Sequence, residues 1–70
     1  MNVKEMNAKA IGSRLIALRG DRTQSKVANE VGISVSALAM YEKGERIPSD
    51  NIKIRLAEYY STPIAVIFFE

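Results

Sequence analysis

Apolar residues recur at helical spacing along the chain, in short runs separated by glycine, proline and hydroxyl residues. In the first run, Ile11, Leu15 and Leu18 are spaced four and three apart, which places them on one face of a helix. Gly20 follows this run and is typical of a break. The pattern therefore predicts an amphipathic helix over about residues 7–19.

Two short helices are predicted next. Thr23 is a candidate N-cap for a helix over residues 24–31, and Gly32 is suited to the position just after its end. Ser34 is the N-cap candidate for a third helix, over residues 35–41, which the next glycine closes. A tight turn therefore joins two helices of about two turns each.

The last third of the chain contains two further elements. Pro48 cannot continue a helix, and Ser49 is suited to cap a new one over residues 50–60. Pro63 marks the start of a short apolar element over residues 64–69, which we interpret as a helix, with a strand as the alternative that periodicity alone does not exclude. We therefore predict an all-α chain of five helices.

Composition is that of one small soluble domain. The chain has 70 residues, of which 47% are hydrophobic and 26% are charged, so we treat residues 1–70 as a single domain. A core of this size leaves little net stability after conformational entropy is subtracted. We therefore expect subunits to associate.

The residue types that are missing exclude several kinds of chemistry. The sequence has no cysteine and no histidine, which removes disulfides, thiol nucleophiles, imidazole bases and metal sites built on these ligands. A chain this short rarely encloses a substrate pocket beside its core. We therefore expect no enzyme activity, no cofactor, no metal and no small-molecule ligand.

Net charge and the lengths of the apolar runs bear on possible partners and on location. Ten basic against eight acidic residues give a net charge of +2, which neither requires nor excludes a polyanionic partner. The first residues lack the apolar run of a signal peptide, and the longest apolar stretch, residues 64–69, is far shorter than the ~20 residues that span a membrane. We expect a cytoplasmic protein without membrane contact.

The two short helices, over residues 24–41, have the layout of a helix-turn-helix. In this region the sequence resembles the Xre/Cro/lambda-repressor family of prokaryotic and phage DNA-binding domains. The residues that carry the resemblance are Thr23-Gln24, Val27-Ala28, Val31-Gly32-Ile33-Ser34, Leu38 and Tyr41-Glu42-Lys43-Gly44. The resemblance covers about residues 7–69.

The resemblance implies a five-helix bundle whose third helix enters the major groove of DNA while the second lies across the backbone. It implies base contacts by Val35, Ser36, Ala39 and Met40. It implies phosphate contacts by Thr23, Gln24, Ser34, Lys43 and Arg46, with Arg22 and Lys26 as weaker candidates. Without the resemblance, the same polar side chains are open to interpretation as helix caps and solvated charges. It also implies a structural ion pair between Arg19 and Glu42.

The base-contacting positions depart from the family pattern. Many relatives place Gln or Arg there, whereas Ser36 is the only polar side chain among the four in this sequence. Apolar side chains can contact thymine methyl groups or exclude water, but they cannot form bidentate hydrogen bonds with a base. We therefore expect modest discrimination between sequences, with Lys43 and Arg46 supplying much of the affinity.

These features predict a small transcriptional regulator of bacterial or phage type, a repressor that binds a palindromic operator in double-stranded DNA as a homodimer. The predicted dimerisation segment is residues 59–69, centred on Ile67 and Phe68, because one face of a short helix cannot bury all of its large apolar residues.

The alternative is an antitoxin or antirepressor-type interaction subunit with an autoregulatory DNA-binding domain, whose aromatic residues Tyr59, Tyr60, Phe68 and Phe69 bind a partner protein. An RNA-binding domain is disfavoured, because the third helix offers no aromatic side chain near its start on which a base could stack.

Overall fold

Five α-helices make up the secondary structure of the computed structural model, which describes residues 3–69 and the side chains of residues 8–69. They are α1 (Val3–Arg19), α2 (Gln24–Val31), α3 (Val35–Lys43), α4 (Asp50–Tyr59) and α5 (Ile64–Phe68). The described residues contain no strand, so the predicted all-α fold is confirmed. The amino-terminal segment, which we used to infer that a signal peptide is missing, lies partly outside the described residues. None of the helices described is long and apolar enough to cross a membrane.

Local chemistry sets most of the helix ends. Thr23, Ser34 and Ser49 have extended backbones, and the hydroxyl of each accepts a hydrogen bond from the amide three residues on, at 3.0–3.4 Å. Gly32 and Gly44 end α2 and α3 in the left-handed conformation, with φ of 88° and 76°. The predicted bounds of α2 are therefore those observed.

Other ends differ from the predicted ones. Helix α1 begins at Val3 rather than near residue 7, because Lys, Glu and Met favour helix even where no apolar stripe requires it. Helix α3 continues to Lys43, and the amide of Gly44 then closes it by donating to carbonyls in its last turn. Pro63 is the residue before α5 and has ψ of 136°, so the short apolar element is a helix that starts at Ile64.

The core lies where the five helices meet. Helix α1 packs against α3 and α5, α4 packs against α5, and α2 packs against α3 and α4. All three apolar residues of the predicted stripe on α1 face this core, although Leu18 is only partly buried. The buried apolar side chains are Ile11, Leu15, Val27, Ala28, Val31, Leu38, Tyr41, Leu56, Ala57, Tyr60, Ile67 and Phe68.

Helix α5 contradicts the predicted dimer contact. Ile67 is 0% exposed and Phe68 is 3% exposed, because both side chains fill the space between α5 and its neighbours α1 and α4. Arg14 on α1 holds the helix there by donating from Nη1 to the Ile67 carbonyl at 2.8 Å. Centring a dimer contact on Ile67 and Phe68 is therefore wrong. The exposed apolar residues of this segment are Val66 and Phe69.

A glycine allows α1 to cross the end of α3 at very short range. A Cβ atom added to Gly12 would lie 2.4 Å from the carbonyl oxygen of Glu42 and 2.9 Å from that of Tyr41. Both are backbone atoms, so neither can move without shifting α3. Any residue type other than glycine at position 12 would therefore force the two helices apart.

Replacing Gly12 with alanine should lower stability, even though alanine is the better helix former by about 1 kcal/mol. Overpacking costs typically 1–3 kcal/mol, and the upper end applies here because the contacts are with backbone atoms; after the helix-propensity gain we expect a net loss of about 2 kcal/mol, or roughly 10 °C in Tm for a domain of this size. Thermal unfolding followed by circular dichroism measures the effect. Ser13→Ala, an exposed change on the same helix, is the control and should leave Tm nearly unchanged. A Gly12→Ala protein as stable as the wild type would contradict the close crossing.

Candidate nucleic-acid interface

One side of α3 faces solvent. Val35, Ser36, Ala39 and Met40 fall within an arc of about 140° around the helix, opposite the buried Tyr41. Exposure is greatest at the amino-terminal end, where Val35 is 42% exposed, while Ala39 and Met40 are half-buried. The four predicted base-contacting residues therefore lie on one surface.

Two hydroxyl caps stand at the amino-terminal ends of α2 and α3. The oxygen atoms of Thr23 and Ser34 each accept a hydrogen bond from their own helix, at 3.0 Å in both cases. A hydroxyl that accepts in this way keeps its hydrogen as a donor. Both residues are exposed, so each cap leaves a donor that a phosphate oxygen can accept from.

Glu42 connects three helices. Its carboxylate accepts from Nε of Arg19 at 2.8 Å, from Nη2 of the same guanidinium at 3.1 Å, and from Nε2 of Gln24 at 2.8 Å. Glu42 is 5% exposed, so this carboxylate has exchanged water for three protein donors. The ion pair implied between Arg19 and Glu42 is therefore present, and it joins α1 to α3 while Gln24 adds α2.

This network fixes the direction of the Gln24 side chain. Because a carboxylate only accepts hydrogen bonds, the amide must turn its nitrogen toward Glu42. One amide hydrogen is used there, and the second is left for another acceptor. The phosphate contact of Gln24 stays a prediction. Helical periodicity could not predict the hydrogen bond from Gln24 to Glu42, since the two residues are 18 positions apart and on different helices.

Arg19 and Arg22 close the turn between α1 and α2. Nη1 of Arg19 donates to the carbonyl of Arg22 at 2.7 Å, and Nη2 of Arg22 donates to the carbonyl of Leu18 at 2.6 Å. The guanidinium of Arg22 also lies over the rings of Tyr59 and Tyr60, 5.4 and 5.2 Å from their centroids. The guanidinium of Arg22 is therefore occupied by contacts within the protein. Local sequence patterns could not predict this stacking, because the two tyrosines lie at the end of α4, far along the chain.

The surroundings of this network stabilise the charged form of Arg19 and the neutral form of Tyr60. Hydrogen bonding to Glu42 raises the pKa of Arg19 above its already high ordinary value. Burial raises the pKa of the neighbouring Tyr60, and the negative charge of Glu42 acts in the same direction. The phenol therefore stays neutral, and its buried hydroxyl has no hydrogen-bond partner among the described residues.

Two basic side chains beyond the network face solvent. Lys43 at the end of α3 and Arg46 in the following loop are exposed, and within the part of the chain described here neither forms a hydrogen bond or ion pair. Lys26, by contrast, pairs with Glu30 on its own helix at 3.1 Å. Lys43 and Arg46 are therefore open to contact with an external anion.

Comparison with known proteins places the chain in a family. A family model described as helix-turn-helix matches residues 14–67, which is well over half of the chain. The match includes all of α2, α3 and α4, and with them Arg19, Glu42 and the exposed face of α3. No curated protein and no solved structure matches the chain.

Removal of either partner of the ion pair should cost about 3 kcal/mol, because it leaves the other charge poorly compensated. Arg19→Ala and Glu42→Ala are therefore expected to melt at much lower temperature, and the double variant should lose less than the sum of the two. Gln24→Ala is the matched control: it removes only the third donor and should cost about 1 kcal/mol. Urea unfolding of the four variants measures these differences. Small, strictly additive losses would contradict the coupling.

Proposed function

The chain belongs to the Xre/Cro/lambda-repressor-like helix-turn-helix family of DNA-binding transcription regulators, and on this basis we propose that it is a repressor that binds a palindromic operator as a homodimer. One observation carries the proposal. The solvent-facing side of α3 has the exposed capping hydroxyl of Ser34 at its start, with that of Thr23 on α2, and Lys43 and Arg46 at its end, where neither has a hydrogen-bond or ion-pair partner among the described residues. Docking this side in the major groove brings the hydroxyls and the cations toward the phosphates that border it.

The charges at the helix starts support this orientation. The first turn of α4 contains Asp50, as the positive end of a helix dipole favours, but the first turns of α2 and α3 contain no acidic residue. The partial positive charge of these two ends is thus left for another anion. DNA phosphates are the anions that a helix-turn-helix brings to this place.

Affinity and specificity have different sources in this proposal. Lys43 and Arg46, with Thr23, Gln24 and Ser34, contact phosphates, and phosphate contacts are blind to sequence. The α3 surface reads the bases with one hydroxyl and three apolar side chains, which gives modest discrimination per copy. A second copy on a palindromic site doubles the base contacts.

A second copy fits best against α5. Val66 is 42% exposed and Phe69 is 64% exposed, and Val66 lines an apolar cleft of about 230 Å³ between α1 and α5, together with Ala17 and Leu18. Burying such a patch against its own two-fold copy removes apolar area from water on both subunits. Because α3 packs on α1 and α2 while α5 packs on α1 and α4, a contact on α5 leaves the α3 surface open.

Binding to duplex DNA should weaken steeply with salt. Each neutralised phosphate contributes about −0.9 to the slope of log affinity against log salt concentration. Lys43→Ala and Arg46→Ala should each weaken binding to all sequences alike and make the slope shallower by about one. Fluorescence anisotropy across a salt titration measures both quantities.

Lys53→Ala is the charge-matched control for these two variants. Lys53 lies on α4, which packs against α2 and α5, and it pairs with Asp50 on its own helix at 3.5 Å. Its removal should leave the slope unchanged. Binding that is insensitive to ionic strength, or equal effects of all three variants, would contradict the phosphate roles.

Dimerisation is tested separately by sedimentation at micromolar concentration, free and with DNA. Phe69→Asp and Val66→Asp should shift the wild-type dimer to monomer, because each places a charge in the apolar contact. Ile16→Asp is the control: Ile16 is 47% exposed on α1 and does not line the cleft that Val66 lines. A wild-type chain that stays monomeric even on its operator would contradict the homodimer. The exposed apolar patch would then favour the partner-binding antitoxin or antirepressor alternative.

A further inference from the structure

An ion pair lies along the exposed side of α2. Nζ of Lys26 donates to Oε2 of Glu30 at 3.1 Å, and the two side chains are 56% and 42% exposed. Lys26 lies in the first turn of the helix, where its backbone amide donates to the capping hydroxyl of Thr23. It is therefore the lysine nearest along the chain to Thr23 and Gln24, whose side chains contact phosphate in the proposed complex.

The pair draws this lysine away from those contacts. Side chains of a helix lean toward its amino-terminal end, which for α2 is the end that faces phosphate in the proposed docking. Glu30 lies four residues further on, about 6 Å along the helix axis toward the opposite end. The ammonium group of Lys26 is therefore held back along the helix instead of extending toward the DNA.

Glu30 is held in place from a second helix. The hydroxyl of Tyr59 at the end of α4 donates to Oε1 of Glu30, while Lys26 donates to Oε2. The ring of Tyr59 is fixed in turn, because the guanidinium of Arg22 lies over it and the ring of Tyr60 packs edge-on against it, with 5.1 Å between centroids. The two hydrogen bonds lower the pKa of Glu30 below its ordinary value, and the one from Tyr59 contributes most. Glu30 is therefore a charged acceptor whose position does not depend on Lys26.

A phosphate that binds Lys26 has to take it from Glu30. Lysine contributes to DNA affinity by neutralising a phosphate and releasing its counterion, and an ammonium group that a carboxylate already neutralises contributes less. The carboxylate lies 3.1 Å from the ammonium group, well inside the Debye length of ~8 Å at physiological ionic strength, so its charge also repels the phosphate. Both effects lower affinity, and neither depends on the base sequence.

We propose that Glu30, positioned by Tyr59, is an intramolecular competitor of DNA phosphate for Lys26 and lowers the affinity of this protein for duplex DNA of any sequence. The inference rests on the proposed docking of the helix-turn-helix on DNA. Lys26 is then a phosphate contact that the protein itself keeps occupied. Because the α3 surface discriminates modestly between bases, this lower affinity shortens the time that each copy spends on DNA outside its operator.

Glu30→Gln tests the competition, because glutamine removes the charge and keeps an oxygen that accepts from Tyr59. Binding of the full chain to one duplex of arbitrary sequence is followed by fluorescence anisotropy over a salt titration. We expect the variant to bind more tightly, with a slope of log affinity against log salt that is steeper by about 0.9, the contribution of one further phosphate. Its affinity relative to the wild type should thus rise about eightfold for each tenfold dilution of salt. Its Tm should stay close to the wild-type value.

Replacing Lys26 assigns the gain to this residue. In the Glu30→Gln background, Lys26→Gln should remove the additional 0.9 and return the slope to that of the wild type. In the wild-type background the same change should alter the slope much less, since Glu30 already occupies the ammonium group. Glu58→Gln is the charge-matched control: it removes an exposed carboxylate on α4 that forms no ion pair within the described part of the chain, and the slope should stay unchanged.

Failure of the inference and failure of the proposed function give different results. The role of Glu30 would be overturned, with DNA binding intact, by an unchanged slope in Glu30→Gln or by an equal gain in Glu58→Gln. A gain that persists without Lys26, or an equal loss on replacing Lys26 in both backgrounds, would overturn it too. A wild-type chain that binds no duplex would instead overturn the proposed function, and the inference with it.

Discussion

The buried carboxylate of Glu42 is the group on which the arrangement of the helix-turn-helix depends. Burying an ionised carboxylate is expensive unless charged and polar donors replace its water, and here Arg19 and Gln24 do so from two other helices. Each donor fixes the position of its helix relative to α3. The start of α2 and the axis of α3 are therefore held together by the same group, and their relative position decides how both could meet DNA.

The backbone of Glu42 adds a steric constraint to this electrostatic one. The carbonyl of Glu42 lies so close to Gly12 that α1 can cross α3 only where a side chain is missing. Seven positions separate Gly12 from Arg19, about two helical turns, so the close crossing and the ion pair lie on the same face of α1. Backbone contact and salt bridge therefore fix α1 on α3 at two points, which prevents rotation about either one.

Local chemistry explains which features could be predicted from sequence. Caps such as Thr23 and Ser34 and the closing Gly32 act within a few residues, so α2 and the start of α3 could be placed from the sequence. The burial of Ile67 and Phe68 could not, because which side of a five-residue helix faces the core depends on α1 and α4. The ion pair was implied only by family resemblance, and the inward turn of Gln24 had no sequence signal.

The two halves of helix α3 differ in burial, and the exposed half carries two of the residues that we propose to contact bases. Its carboxyl-terminal half contains Tyr41 and Glu42, which are buried and hold the helix to α1 and α2. Its amino-terminal half exposes Val35 and Ser36, which contribute little to the core. About 10 Å separate Val35 from Glu42 along the helix, so substitutions at the exposed end leave the network intact. Because the residues that we propose to read the bases are few and mostly apolar, we expect a single change there to alter the preferred base without a matching change in the fold.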